Sequence, residues 1–207
     1  MVHNTQSIHE AIDLFEAAKA QIQREGTPQH AQVLLLDFAK AYDSLDGRFM
    51  INLLYDEVER NSQLTGINLH AQDNDWAGAM KLQVAVYADD TAIYLADSAM
   101  RTEAIEAVAA FSVVSELWLN VDKSKAIRLG GEQVESTHND SAAQNNVVEE
   151  VESTRYLGHI AGMGDTCSLV WNTALEATRV RLALAEVKTN SVHPRATIAA
   201  AVIIPKL

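Results

Sequence analysis

The chain has 207 residues, 48% hydrophobic and 21% charged, the balance of an ordinary soluble globular protein with one core. Its 28 acidic side chains against 16 basic ones give a net charge of −12, which counts against a stand-alone nucleic-acid binder, because phosphate contacts need Lys and Arg. The single cysteine, Cys167, excludes an internal disulfide and fits a reducing compartment.

The opening residues hold no apolar run of the signal-peptide kind. Residues 5–24 carry Ile8, Ile12, Phe15 and Ile22 at near-helical spacing, with Ser7 and Glu10 placed as a capping box. This predicts a helix ending near Gly26-Thr27-Pro28. The apolar run from Val33 to Phe38 follows that break and predicts a buried strand. A short helical segment over 39–46 and a helix over 48–61, with Leu53, Leu54 and Val58 inward, come next. Gly66 to Ala71 reads as a strand and Gln72 to Gly78 as a polar turn.

Leu82 to Tyr87 and Thr91 to Leu95 are apolar runs that flank Ala88-Asp89-Asp90, which predicts a hairpin with two aspartates at its bend. Asp97 or Ser98 suits the N-cap of a long helix reaching about Leu117. Lys125 to Gly130 reads as a strand, and the polar, acidic stretch 131–150 as a flexible insertion. Arg155 to Ile160 predicts one short strand, residues 169–189 a helix, and Pro194 the opening of another. Gly130-Gly131 and the Gly162/Gly164 pair read as turn glycines, since no phosphate-loop lysine follows them. The seven histidines show no metal-ligand spacing. Ala196 to Ile204 is too short to span a bilayer, so a soluble, intracellular protein with no membrane partner is expected. Strands interleaved with helices around a central hairpin predict an α+β fold in a single domain, with a sheet and helices on one face.

Three carboxylates, Asp37, Asp89 and Asp90, stand at the edges of strongly apolar strands. Carboxylates are seldom buried without partners. Two strand ends side by side would bring such anions together, and their repulsion would favour a divalent cation. All-oxygen ligands suit Mg²⁺ or Mn²⁺, and two ions there would serve phosphoryl chemistry. An Asp-Asp pair between apolar runs is also a good turn former, and the residues alone leave both readings open.

Four segments, in order, resemble motifs of the reverse transcriptases of non-LTR retrotransposons. Leu34 to Asp46 (LLLDFAKAYDSLD) resembles the first palm motif, and Tyr87 to Leu95 (YADDTAIYL) the Y-A-D-D hairpin. Trp118 to Lys125 (WLNVDKSK) is similar to the L-x-L-N-x-x-K motif, and Tyr156 to Ile160 (YLGHI) to the primer-grip segment. The resemblance implies a palm-type antiparallel sheet. Residues 1–30 would end the fingers, 31–165 would form the palm, and 166–207 would start the thumb.

By the same resemblance, Asp37, Asp89 and Asp90 would hold two Mg²⁺ or Mn²⁺ ions. Phe38, through its backbone, and Tyr42, as a steric gate, would contact a dNTP. Lys123 would stand near the leaving phosphate as a general acid. Tyr156, Leu157 and Gly158 would support the primer end. The implied partners are an RNA template, a DNA primer and dNTPs. Each residue has a plainer reading: a packed helix aromatic for Tyr42, a solvated lysine for Lys123, core packing for Tyr156 and Leu157.

The pattern breaks in one place. Between the first motif and Y-A-D-D the family carries a Q-G-x-P-L-S-P-type segment, and here Asp46-Gly47-Arg48-Phe49-Met50 runs straight into Ile51-Asn52-Leu53-Leu54-Tyr55, which resembles the helix just after that segment. Most of the fingers is also missing, and with it basic residues that would grip a template. Three functions compete: RNA-directed DNA polymerase, a non-catalytic remnant of one, and another metal-dependent phosphoryl-transfer enzyme on a palm-like sheet. Ala88 and Tyr42 argue against the third.

Overall fold

A computed structural model of the chain describes residues 2–4, 7–26, 30–39, 54–58, 60–70, 80–87, 90–130, 148–188, 191–198 and 200. The chain divides into two compact units, residues 1–164 and 165–207. The predicted helix over 39–46, the polar turn Gln72 to Gly78 and most of the 131–150 insertion lie outside the described residues.

The first unit is built on a six-stranded sheet in the order β1-β6-β7-β2-β9-β10. Its strands are β1 (Val2–Asn4), β2 (Gln32–Leu36), β6 (Val84–Tyr87), β7 (Asp90–Leu95), β9 (Lys125–Arg128) and β10 (Glu149–Glu150). Three short pairs flank it: β3 (Phe38–Ala39) with β8 (Trp118–Leu119), β4 (Ile67–Leu69) with β5 (Met80–Leu82), and β11 (Ser153–Tyr156) with β12 (His159–Gly162). Two helices cover the sheet, α1 (Ile8–Glu25) and α2 (Arg101–Ser115), and residues 54–58 are helical.

α1 forms as its spacing predicts. Ser7 accepts a hydrogen bond from the Glu10 backbone N–H at 3.2 Å, satisfying one of the donors a helix start leaves open. Gly26 closes the helix at φ 65, a conformation that suits glycine. At the start of α2, Asp97 Oδ1 accepts from Ala99 N–H (2.9 Å) and caps a 3₁₀ turn, Ser98–Met100, that runs into the helix.

The sheet is mixed rather than antiparallel, and its helices lie on both faces rather than one. β2 pairs antiparallel with β7 and β9, and β6 with β7, while β1 joins β6 and β10 joins β9 in parallel. The two parallel partners are only three and two residues long, too short to leave a periodic signal. The two-sided burial has a clearer origin. Every residue of β2 is buried, and a strand apolar on both sides needs cover on both. Val33 and Leu35 pack with Leu14, Phe15, Ala18 and Ile22 of α1. Leu34 and Leu36 pack with Ala104, Ala107, Val108 and Phe111 of α2.

Two more expectations change. The single strand predicted over 155–160 is a hairpin, with Tyr156 opposite His159 and the turn at Leu157 (φ 50) and Gly158 (φ 83). That turn needs positive φ at both central residues, and a leucine at the first hid it. Gly162 lies in β12 opposite Ser153 and is not a turn residue. The stretch 148–150, read as part of a flexible insertion, buries Val148 and adds β10 to the sheet.

β10 is held by charge as well as by backbone pairing. Glu150 bonds Arg101, Arg128 (2.8 Å) and the buried Gln32 amide (3.0 Å), and Arg101 Nε also donates to Gln32 Oε1 (2.8 Å). Burial works against ionising Glu150, but the Arg101 hydrogen bond and the nearby Arg128 charge outweigh it and lower its pKa from the ordinary 4.5. A lowered folded-state pKa means stability that is complete above the unfolded value and lost as pH falls through the folded one. Thermal melts at about pH 7 and about pH 3 should therefore show a loss of midpoint on acidification that is smaller in Glu150→Gln. An equal loss in both proteins would contradict this role.

The second unit, described by itself, holds α3 (Thr166–Lys188) and α4 (Val192–Ile198), which contact one another. Asp165 accepts from Ser168 N–H at 3.0 Å at the start of α3, and hydrogen bonding from the Ser168 side chain and then from its backbone lowers the Asp165 carboxyl pKa. Pro194 is the third residue of α4, where its missing N–H costs no helical bond. No helix among the described residues is long and apolar enough to cross a membrane.

Candidate carboxylate site

Antiparallel register places the first site residues. Leu36 of β2 pairs with Thr91 of β7, so Asp37, one step beyond, and Asp90, one step before, stand at the same end of neighbouring strands. Directly opposed residues in such a ladder are about 5 Å apart at Cα. Strand alternation assigns Asp90 to the face of Ala92 and Tyr94, which is the α1 face. Leu36 and Phe38 face α2, so Asp37 falls on the α1 side with Asp90. The apolar runs behind both carboxylates anchor the strands, while the acids stay partly solvated. The Asp37 side chain is 38% exposed.

The loop after β8 clamps Asp37. Asn120 N–H donates to the Asp37 carbonyl (2.8 Å), and Asp37 N–H donates to Ser124 Oγ (3.1 Å). The fully buried Ser124 hydroxyl in turn donates to the Asn120 carbonyl (2.8 Å). The Asn120 side chain accepts from Lys123 N–H at 3.4 Å. These bonds fold the loop into a tight turn that carries the Lys123 ammonium to 3.9 Å from Asp37 Oδ2. Lys123 is 70% exposed there, so the pair contributes about 1 kcal/mol at most to stability. Asn120 and Ser124 have no side-chain role in the sequence reading. Their only sequence signal is their place in the segment beside Lys123.

Phe38 is buried and meets Phe111 edge-on, ring centroids 5.8 Å apart, so its side chain is core and its backbone borders the site in β3. Tyr156 is buried as well, while Leu157 and Gly158 form the hairpin tip. Burial, followed by the charge of Asp90, pushes the Tyr156 phenol above its usual range. His159 holds that hairpin to α1 through Glu16 at 3.2 Å.

Asp89 and Tyr42 lie outside the described residues. Among the described residues, no group of three or more His, Cys, Asp and Glu side chains is arranged to hold a metal ion. The structure thus brings together Asp37, Asp90 and Lys123. Comparison with models of known protein families finds no match to this chain, and comparison with curated proteins finds none.

Proposed function

We propose that the chain carries a palm of the reverse-transcriptase kind, an RNA-directed DNA polymerase module in which Asp37, Asp89 and Asp90 bind two Mg²⁺ or Mn²⁺ ions. The observation that carries this reading is the adjacency of β2 and β7, with Asp37 and Asp90 at one sheet end and Lys123 ion-paired to Asp37. Segments that resemble three separate family motifs meet there.

The donor set fits a hard cation: carboxylate oxygens, partly solvated, with an ammonium already drawn to one of them. When bound, such ions would supply activation of a primer 3′-hydroxyl and charge neutralisation on a dNTP. The rest falls to the chain. The Asn120–Ser124 clamp fixes the Asp37 backbone, so its carboxylate pays little ordering entropy on binding. Lys123, on a flexible exposed stem, can move from Asp37 to a phosphate oxygen and deliver a proton to it. Tyr42 would exclude a ribose 2′-hydroxyl, and the hairpin at Leu157-Gly158 would support the primer end.

A second reading, a catalytically inactive remnant, is favoured by the missing Q-G-x-P-L-S-P-type segment and the net charge of −12. The two are separated by primer extension on an RNA template, with Asp89→Ala as control, beside Mn²⁺ titration of the protein and of Asp37→Asn. The expected result is little or no extension, with Mn²⁺ binding that is lost in Asp37→Asn. Extension that disappears in Asp89→Ala would make the chain a competent polymerase. Absence of Mn²⁺ binding would remove the carboxylate centre and the polymerase reading with it.

A further inference from the structure

The ion pair between Lys123 and Asp37 is built unevenly, with a rigid base and a loose tip. The turn that carries Lys123 is held on several sides. Asp37 engages it with both backbone groups: its carbonyl accepts from Asn120 N–H and its N–H donates to Ser124 Oγ. Ser124 closes the turn inward, its N–H (2.9 Å) and its hydroxyl (2.8 Å) both donating to the Asn120 carbonyl. From β9, the Lys125 ammonium donates to the Asp122 carbonyl (2.8 Å) and is itself held by Glu149 of β10 at 2.8 Å. The backbone at Lys123 is therefore fixed relative to Asp37, and the freedom that remains is in its side chain.

The contact made by that side chain is long. Lys123 Nζ stands 3.9 Å from Asp37 Oδ2, beyond hydrogen-bond reach, with the lysine 70% and the aspartate 38% exposed. Other pairs in the same unit close to hydrogen-bond distance: Lys125 with Glu149 and Arg128 with Glu150, both at 2.8 Å. Lys123 is thus kept near Asp37 by charge and by where its stem is rooted, not by a directed bond. A compact ammonium on a flexible stem suits a mobile counter-ion. A counter-ion is useful there, since Asp37 and Asp90 stand at the same end of neighbouring strands, and like charges at close range repel.

We propose that Lys123 is a resident counter-ion of the carboxylate site: its ammonium balances Asp37 before a divalent cation binds and is displaced when one does. This deepens the proposed function and rests on the reading of the carboxylates as a cation site. A doubly charged ion in direct contact with a carboxylate oxygen is attracted more strongly than a single charge at 3.9 Å, which favours the exchange. The displaced ammonium stays tethered to the braced turn. Each exchange therefore releases a positive charge beside the site, free to meet an anion such as a phosphate oxygen. Lys123 lowers the cation affinity of the site and, in return, offers its basic group to an anion only once the site is loaded.

Two measurements on the full chain test this. Mn²⁺ binding, followed by the loss of free-ion signal in electron paramagnetic resonance, should tighten about two- to fivefold in Lys123→Met, the range that loss of an exposed ion pair supports. Lys81→Met removes the same charge from β5, which leads into β6 at the end remote from Asp90, and should leave the affinity nearly unchanged. In nitrogen NMR of the lysine ammonium groups, the Lys123 resonance, assigned by its loss in Lys123→Met, should shift in Asp37→Asn. Saturating Mg²⁺ should shift it in the same direction in the unmutated chain. An unchanged or weaker Mn²⁺ affinity in Lys123→Met, or an equal gain in Lys81→Met, would overturn the proposal and leave the cation site standing. A Lys123 resonance that Mg²⁺ leaves in place would do the same. Failure of both the unmutated chain and Lys123→Met to bind Mn²⁺ would remove the cation site and the displacement with it, while the shift in Asp37→Asn still decides whether the ion pair exists.

Discussion

Replacing Phe15 with alanine lowers the stability of the sheet-bearing unit by about 3–5 kcal/mol. Phe15 is completely buried on the inner side of α1. It packs in one cluster with Val33 and Leu35 of β2, Ala92 and Tyr94 of β7, and Ile127 beyond β9's midpoint. Truncation removes a large apolar side chain from this contact and leaves a cavity against a sheet that cannot collapse to fill it. Domains of this size have about 5–15 kcal/mol in hand, so a large share of the total is lost. Urea unfolding followed by circular dichroism gives the number. A loss below about 1 kcal/mol would mean that α1 is not seated on the sheet as described.

The second large effect is expected at Gly66, just before β4. A Cβ there would lie 2.2 Å from the Leu82 carbonyl oxygen and 2.9 Å from its carbon. The obstruction is backbone, so no side-chain rotation relieves it. Leu82 is paired with Ile67, and the next residue, Gln83, accepts from Tyr94 N–H at 2.8 Å and holds β7. Gly66→Ala should therefore push the start of β4 away from the end of β5, where the chain enters β6, at a cost of about 1–3 kcal/mol or more. Because β6 pairs with β7, with Tyr87 opposite Asp90, the same shift should weaken Mn²⁺ binding. Gly164→Ala, which meets nothing within 4 Å, is the control and should change stability by less than about 0.5 kcal/mol. Equal stability of the two variants would show that Gly66 is not a close-approach glycine.

Local signals written within one segment were readable. α1 has both its periodic apolar residues and its caps, Ser7 and Gly26, in a single stretch. The hairpin of β6 and β7 is two apolar runs close together in sequence, and the 3₁₀ turn that leads into α2 starts at the Asp97 cap. The candidate site was readable only as separate motifs. Asp37, Asp90, Lys123 and Tyr156 each sit in a recognisable stretch, but nothing within a stretch says which others it meets.

Tertiary structure decided what depends on partners distant in sequence. The direction of β1 and β10, and the burial of both faces of β2, come from chain far away in sequence. The placement of Lys123 beside Asp37 is of the same kind, set by hydrogen bonds from Asn120 and Ser124 to the Asp37 backbone. Sequence by itself determined the elements that a run of neighbouring residues can specify, because helix and strand periodicity and end caps are short-range. The pairing of strands and the meeting of side chains were left to the packed fold, because they are settled by burial and hydrogen bonding between segments that have no common local pattern.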